Sequence, residues 1–225
     1  MTICKKAHLT GLAAAFLLSA SAITHTVIAG SITDPANDFI PTFAGTHDPS
    51  LDVLSFSTTF DGTTFHIAAT ENGDIASFPT GRFVIGFNRG AATSNFASIG
   101  FPNIVFDSVI TLNSNGVAGG RDLVTNTPIT LPAGSATILG STFQIDVPAS
   151  LLPSRGLLPA QYGVNLWPRD SAVLPANSDP QIADFAPDTT DLIVGAAVAV
   201  PEPSSLALLA AGLLGLGFAK RRRAV

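Results

Sequence analysis

The aspartates of this sequence gather in two groups near the two ends of its central part. They are Asp34, Asp38, Asp48 and Asp52 early in the chain and Asp170, Asp179, Asp184, Asp188 and Asp191 late in it. Calcium is the cation that suits oxygen-rich loops. Asp34–Asp38 has oxygen-bearing side chains at its first, fourth and fifth positions but Ala36 at the third, so it is no EF-hand loop. We predict Asp34 and Asp38 as calcium ligands, and capping of turns explains the same residues without a metal.

A second candidate site surrounds the only tryptophan, Trp167. Alternation along its strand places it on the side opposite to three apolar residues, Tyr162, Val164 and Leu166. Its neighbours Asn165, Arg169 and Asp170 could hydrogen-bond hydroxyl groups, so an exposed Trp167 would stack on a sugar ring. A buried Trp167 would instead fill the core. Both alternatives are open from the sequence.

Catalytic motifs are absent from the sequence. It has no G-x-S-x-G, H-E-x-x-H or G-x-x-x-x-G-K-[ST]. His66 is predicted on the exposed side of a strand, His47 in a polar loop, and Glu71 in a solvated turn. We expect no enzyme, although a glycosidase with two carboxyl groups remains an alternative because aspartates are abundant.

Charge and cysteine content exclude further classes of function and of site. The 225 residues have a net charge of −5, but residues 30–200 contain 15 acids, 5 arginines and no lysine. Nucleic acid is therefore not an expected partner, because binding to phosphates relies on lysine and arginine. The single cysteine, Cys4, lies in a targeting segment, so neither a disulfide nor a cysteine metal site is predicted. Apart from calcium, no cofactor is predicted.

The elements that must position these residues are strands. Leu54, Phe56, Thr58 and Phe60 alternate up to Asp61-Gly62, and a second alternating run follows, which predicts a hairpin. Further strands are predicted around five sets: Phe83/Ile85/Phe87, Ile104/Phe106 with Ile110/Leu112, Phe143/Ile145/Val147, Tyr162/Val164/Leu166 and Leu192/Val194/Ala196/Val198. The only helix candidate is short, Pro148–Leu152. We predict an all-β domain over residues 30–199, a single antiparallel β-sandwich of eight to ten strands, jelly-roll-like.

Residues 1–29 are predicted to be a secretory signal peptide. Lys5 and Lys6 precede an apolar run, and small residues offer cleavage after Ala22 or Ala29.

Residues 200–225 combine a proline-rich turn, an apolar helix and a basic end. Pro201, Glu202 and Pro203 precede an uncharged stretch that is followed by four cations, Lys220, Arg221, Arg222 and Arg223. These cations are predicted to stop transfer and to stay in the cytoplasm, with the core outside the cytoplasmic membrane. A transmembrane helix would thus anchor the chain.

This C-terminal segment resembles the PEP-CTERM sorting signal of bacterial proteins. The resemblance implies that Pro201, Glu202 and Pro203 are recognised by an exosortase-type processing enzyme. It also implies anchoring in the cytoplasmic membrane before processing, then a cell-surface or extracellular location, in association with extracellular polysaccharide and biofilm.

A looser resemblance covers residues 34–70. Asp-Pro-x-Asn-Asp-Phe, Asp52-Val53 and the strand-Asp-Gly-strand hairpin are similar to the start of DOMON-like and carbohydrate-binding β-sandwich domains. The resemblance implies sugar binding. The expected function is a non-catalytic protein of the extracellular matrix that binds polysaccharide. The alternatives are a secreted hydrolase acting on polysaccharide and a purely structural matrix protein.

Overall fold

The computed structural model describes residues 26–194 and 197–199, with side chains described for residues 30–194. Fourteen strands run in chain order: β1 (Thr26–Thr33), β2 (Val53–Phe60), β3 (Thr64–Glu71), β4 (Gly81–Asn88), β5 (Ser94–Phe96), β6 (Phe101–Phe106), β7 (Ser108–Asn113), β8 (Ala118–Asp122), β9 (Thr127–Ile129), β10 (Ala136–Leu139), β11 (Thr142–Pro148), β12 (Gly163–Asp170), β13 (Leu192–Ile193) and β14 (Ala197–Ala199). Six single-turn 3-10 helices lie between them: Pro49–Leu51, Ile75–Ser77, Ala97–Ile99, Ala149–Leu151, Pro159–Gln161 and Asp179–Gln181.

The strands form three antiparallel sheets. One six-stranded sheet has the order β10-β11-β3-β2-β1-β14, a second has the order β13-β12-β4-β7-β8-β9, and β5 pairs with β6. The chain passes from the first sheet to the second after β3 and after β11, and returns after β9 and after β13. The prediction of an all-β, antiparallel fold is confirmed.

Across the residues described, no helix has the length and apolar character needed to cross a bilayer. The predicted transmembrane helix within residues 200–225 lies outside them, as does most of the predicted signal peptide.

Phenylalanines fill the space between the two large sheets. The ring of Phe65 on β3 lies 5.6 Å from Phe87 on β4 and 5.6 Å from Tyr162, which immediately precedes β12. Phe83 on β4 lies 5.3 Å from Phe143 on β11. The inward-facing residues of both sheets therefore share one core, because the alternation of each strand turns one side toward the other sheet.

The β2–β3 hairpin forms where the sequence predicts it. Phe60 pairs with Phe65 across the turn. The Asp61 carboxylate accepts the backbone N–H groups of Thr63 and Thr64, both at 2.8 Å. Gly62 has φ +101°, a left-handed conformation that favours glycine.

Two predictions about elements are wrong in detail. The strand predicted over residues 192–198 is divided, since β13 pairs with β12 in the second sheet and β14 pairs with β1 in the first. Fourteen strands are described where eight to ten were expected, because several have only two or three residues and show too little alternation to be recognised. The predicted helix at Pro148–Leu152 occurs as the 3-10 helix Ala149–Leu151.

A buried ion-pair network connects the second sheet to the loop after β11. Arg89 and Asp107 are fully buried, and the Arg89 Nε–H donates to Asp107 Oδ1 at 2.6 Å. The Arg89 Nη2 group donates to Asp122 Oδ2 at 2.9 Å, and Arg155 donates to the same oxygen at 3.0 Å. Burial opposes ionisation of Asp122, but hydrogen bonds from the Thr125 backbone and the two arginines hold its pKa below its usual range.

Candidate functional site

Four aspartates from the two ends of the domain meet in one place. Asp34 and Asp38 follow β1, Asp184 and Asp188 precede β13, and one oxygen of each lies within 4.8 Å of the others. We call these four residues the acidic cluster. The structure thus brings the two residues predicted as calcium ligands together with two members of the late group of aspartates.

Backbone contacts from both sheets hold the cluster. The Asp34 N–H donates to the Leu54 carbonyl at 2.9 Å, which continues the pairing of β1 with β2. The Val53 N–H donates to Asp184 Oδ2 at 2.9 Å. Asp184 follows Ile182, which bridges to Arg169 on β12. The cluster therefore joins the first sheet to a segment that pairs with the second.

A fifth carboxylate, Glu71, lies beside the cluster. Alternation along β3 puts Glu71 on the core side, only 1% of its surface is exposed, and neither of its carboxylate oxygens has a hydrogen-bond partner. Burial raises its pKa well above the ordinary value, and the charges of Asp184, Asp52 and Asp34 raise it further. The prediction that Glu71 lies in a solvated turn is wrong, because the strand extends to this residue.

The acidic cluster itself is electrostatically strained. The pKa of Asp34 is raised to about 8, first by burial and then by the charges of Asp188 and Asp38. The pKa of Asp184 is also raised to about 8, first by burial and then by the charges of Asp34 and Asp38. Hydrogen bonds from two backbone N–H groups oppose this rise. No arginine or histidine of the described part of the chain forms an ion pair with these residues. A bound cation would offset this repulsion.

Other aspartates of the two groups serve turns and loops. Asp48 Oδ1 accepts the Ser50 N–H at 2.9 Å and caps the 3-10 helix Pro49–Leu51. Asp52 accepts the Asn37 N–H with both oxygens, at 2.9 and 3.0 Å. For Asp48 the turn-capping alternative describes what the structure shows, whereas Asp52 holds the loop that contains Asn37.

A groove of about 710 Å³ lies on the outer face of the second sheet. Arg82 on β4, Arg121 on β8 and Arg169 on β12 line it, and Trp167 lies at its base. We call it the arginine groove. The groove is lined by three of the five arginines of residues 30–200. Among the described residues, the only acid that lines it is Asp179.

The arginines of the groove form no ion pair with any residue that the structure describes. Arg82 and Arg169 pair directly across β4 and β12, so their side chains lie on the same face. The Nε atoms of both are buried without an acceptor. Burial lowers the pKa of Arg169 to about 10, the charge of Arg82 contributes to the lowering, and Asp179 opposes it. The three guanidinium groups donate to neutral acceptors, the Asn177 and Asn126 side chains and the Ser178 carbonyl. Their charges therefore suit an anionic ligand, since guanidinium groups form strong charge-assisted hydrogen bonds to carboxylates.

Of the predicted sugar-binding residues, only Arg169 brings a charged group to the groove, where its Nη2 group also donates to the Ser178 carbonyl. Asn165 is buried and donates to the carbonyls of Pro187 and Thr190 at 2.7 and 3.0 Å. Asp170 Oδ1 accepts the Ala172 N–H at 2.9 Å and shapes the turn after β12.

Of the two alternatives for Trp167, the structure shows the buried one, because only 1% of its surface is accessible. The small β5–β6 sheet covers this face of β12. Its Phe96 ring meets the Trp167 ring edge-on at 5.1 Å, and its Phe106 ring lies 4.8 Å away. Trp167 thus forms part of the base of the groove and presents no free face for a sugar ring.

The two histidines of the core have structural contacts. The His47 ring stacks on Phe39, 4.5 Å between centroids. His66 is exposed, as predicted, and lies between Asp146 at 2.7 Å and Asp61 at 3.1 Å. The hydrogen bond to Asp146 raises the pKa of His66, partial burial opposes the rise, and the hydrogen bond to Asp61 adds to it.

Comparison with known families identifies the end of the chain. The PEP-CTERM protein-sorting motif matches residues 199–223. No curated protein sequence matches the chain. The chain therefore carries a PEP-CTERM sorting signal, which indicates an exported, surface-sorted protein; motifs of this kind are recognised by exosortase. The residues predicted for recognition, Pro201, Glu202 and Pro203, and the predicted stop-transfer cations, residues 220–223, lie outside the described residues.

Proposed function

We propose that this chain is a non-catalytic β-sandwich protein of the extracellular matrix or biofilm that binds an acidic polysaccharide in the arginine groove. The observation that carries the proposal is the placement of Arg82, Arg121 and Arg169 along one groove of a domain that is otherwise rich in acids. In residues 30–200 the remaining two arginines are held by Asp107 and Asp122.

The chemistry of the groove favours sugar carboxylates. Each guanidinium is a planar donor that matches a carboxylate with two parallel hydrogen bonds. The apolar base formed by Trp167, Phe96 and Phe106 excludes water, and so strengthens these bonds. The surrounding acids repel a polyanion at long range, so binding is local and depends on the fit of a few sugar units.

Binding to a polyuronate tests this function. The full chain, purified in a mild detergent, is titrated calorimetrically with alginate oligosaccharides, and neutral dextran oligosaccharides are the control ligand. We expect Arg82→Gln and Arg169→Gln each to weaken binding to alginate about tenfold, since a hydrogen bond to a charged group contributes roughly 1.5–3 kcal/mol. Arg155→Gln removes the same charge outside the groove and is expected to bind normally.

Three outcomes would contradict the proposal. If Arg155→Gln weakens binding as much as the groove variants do, the attraction is general and the groove is not the site. Absence of binding to any polyuronate would support a purely structural matrix protein. A rise in reducing ends during incubation with alginate would show an enzyme.

The sorting signal yields a separate prediction. We expect deletion of residues 201–225 to release the protein into the medium, because the apolar segment and the basic end are lost together. Replacing Pro201, Glu202 and Pro203 with alanine keeps both and is expected to leave unprocessed protein in the membrane. Immunoblots of medium, membrane and surface fractions distinguish the two results. A truncated protein that stays cell-associated like the full chain would refute the prediction.

A further inference from the structure

We propose that Asp34, Asp38, Asp184 and Asp188 bind one calcium ion, which links the two sheets at one end of the domain. This inference goes beyond the proposed function and does not depend on the arginine groove. It rests on the geometry of the acidic cluster and, independently, on the buried Glu71 beside it.

The buried atoms around the cluster lack partners. Asp34 Oδ2 and Asp38 Oδ1 are buried and accept no hydrogen bond. The same is true of both oxygens of Glu71, whose side chain is 1% exposed. Buried carboxylates are normally paired or bind a metal, because burial of an uncompensated charge is costly. Here no described cation pairs with the oxygens of Asp34 and Asp38, so a metal ion is their missing partner.

The chemistry of the cluster favours calcium over smaller cations. Calcium lies about 2.3–2.6 Å from its oxygen ligands, so oxygens on opposite sides of the ion are about 4.6–5.2 Å apart. Magnesium usually keeps several of its waters and is bound by only one or two carboxylates, so a cluster of four carboxylates suits it less well. The four oxygens of the cluster lie within 4.8 Å of one another. The ligands are all oxygens, which also disfavours zinc.

Exposure around the cluster leaves room for the rest of the coordination shell. Asp188 is exposed, Asp34 and Asp38 are half-buried, and Asp184 is fully buried. Calcium takes six to eight ligands in flexible geometry, so four carboxylates and a few waters on the Asp188 side complete the shell.

The position of the ion would couple distant parts of the chain. Asp34 and Asp38 belong to the loop that leaves β1, and Asp184 belongs to the segment that bridges to β12. These segments lie at opposite ends of the domain's sequence. Calcium would therefore stabilise the association of the two sheets, and it would do so after export, where the ion is abundant.

Thermal unfolding with and without calcium tests the proposal. The full chain, purified in a mild detergent and stripped with EDTA, is melted with calcium chloride or magnesium chloride, and calcium binding is measured by calorimetry. We expect one bound calcium and a rise in Tm of about 5–10 °C at a hundredfold excess over Kd. Magnesium at the same concentration is expected to cause a much smaller rise.

Variants distinguish ligands from residues that merely support the fold. Asp38→Asn and Asp188→Asn are expected to weaken calcium binding about tenfold or more, since affinity follows the charge of the ligands. In EDTA the same variants are expected to melt at or above the Tm of the unmodified protein, because each removes repulsion. Asp146→Asn removes an exposed charge outside the cluster and is expected to keep the full calcium response.

The proposal fails if the unmodified protein melts at the same temperature in calcium and in EDTA. It also fails if Asp38→Asn and Asp188→Asn keep the affinity of the unmodified chain. Variants that melt lower in EDTA and bind calcium normally would show a purely structural role for these aspartates.

Discussion

Replacement of Arg89 with methionine is expected to destabilise the domain by roughly 3–5 kcal/mol, the usual cost of breaking a buried ion pair. Methionine fills much of the same space but leaves Asp107 fully buried without its cation. It also removes the donor to the Pro153 carbonyl, 3.2 Å from Arg89 Nη1. Urea unfolding followed by tryptophan fluorescence measures the loss.

The partner residue supplies the control for Arg89. Adding Asp107→Asn to Arg89→Met removes the uncompensated charge and is expected to recover part of the stability. The amide oxygen can still accept both of the N–H groups now bonded to Asp107 Oδ2, those of Arg89 and Ala91. Arg82→Met, a change at an arginine without an ion pair, should alter stability much less. Equal effects of Arg89→Met and Arg82→Met would show that the network contributes little.

Replacement of Trp167 with alanine is expected to cost roughly 3–5 kcal/mol, as for other large buried aromatics. The indole ring is packed among Phe96, Phe106 and Phe185. The opposing strand leaves space for it at Gly86, where an added Cβ would lie 2.4 Å from the ring. A fall in Tm and in the urea midpoint should follow.

A double-mutant cycle makes the Trp167 prediction specific. Gly86→Ala should destabilise the unmodified protein because the new methyl group collides with the ring. In the Trp167→Ala background the same change should be tolerated or stabilising, because it fills part of the cavity. Additive effects of the two changes would contradict the packing described here. A cost below about 1 kcal/mol for Trp167→Ala would show that the ring is not a core residue.

Strands with clear alternation could be read from the sequence, and pairing between distant strands could not. β2, β3 and β4 carry phenylalanine or another apolar residue at every second position over most of their length, and their core-facing sides agree with the prediction. Trp167 shows the limit of prediction from alternation alone. Alternation correctly puts it on the outer side of β12, but only the tertiary structure shows that β5 and β6 cover that side.

The candidate sites could likewise be predicted only in part: the sequence indicates the residues, but not which of them meet in the fold. Asp34 and Asp38 could be found because their loop is rich in oxygen ligands, and Asp184 and Asp188 belong to the late group that the sequence shows. Their convergence depends on the strand order, which composition does not encode. Glu71 was missed because Glu71-Asn72-Gly73 resembles an exposed turn.

The arginine groove was missed for a related reason. Arg82 and Arg169 are 87 positions apart in the sequence and become neighbours only through the register of β4 with β12. The scarcity of cationic side chains was the one feature of the sequence that could have indicated the groove. With no lysine and five arginines in residues 30–200, every arginine without an acidic partner was a candidate for binding an anion.

The pairing of β1 shows which signal-peptide cleavage would leave the first sheet intact. Thr26, Val27 and Ile28 are the residues that pair with β14, and Ile28 to Thr33 pair with β2. Proteolysis after Ala29 would remove every residue that holds β14 and would leave part of β2 as a bare edge, open to pairing with a second molecule. Proteolysis after Ala22 spares the whole strand. The position of the signal-peptide cleavage therefore decides whether β2 is paired along its length with β1 or is partly an exposed edge strand that can pair with another molecule.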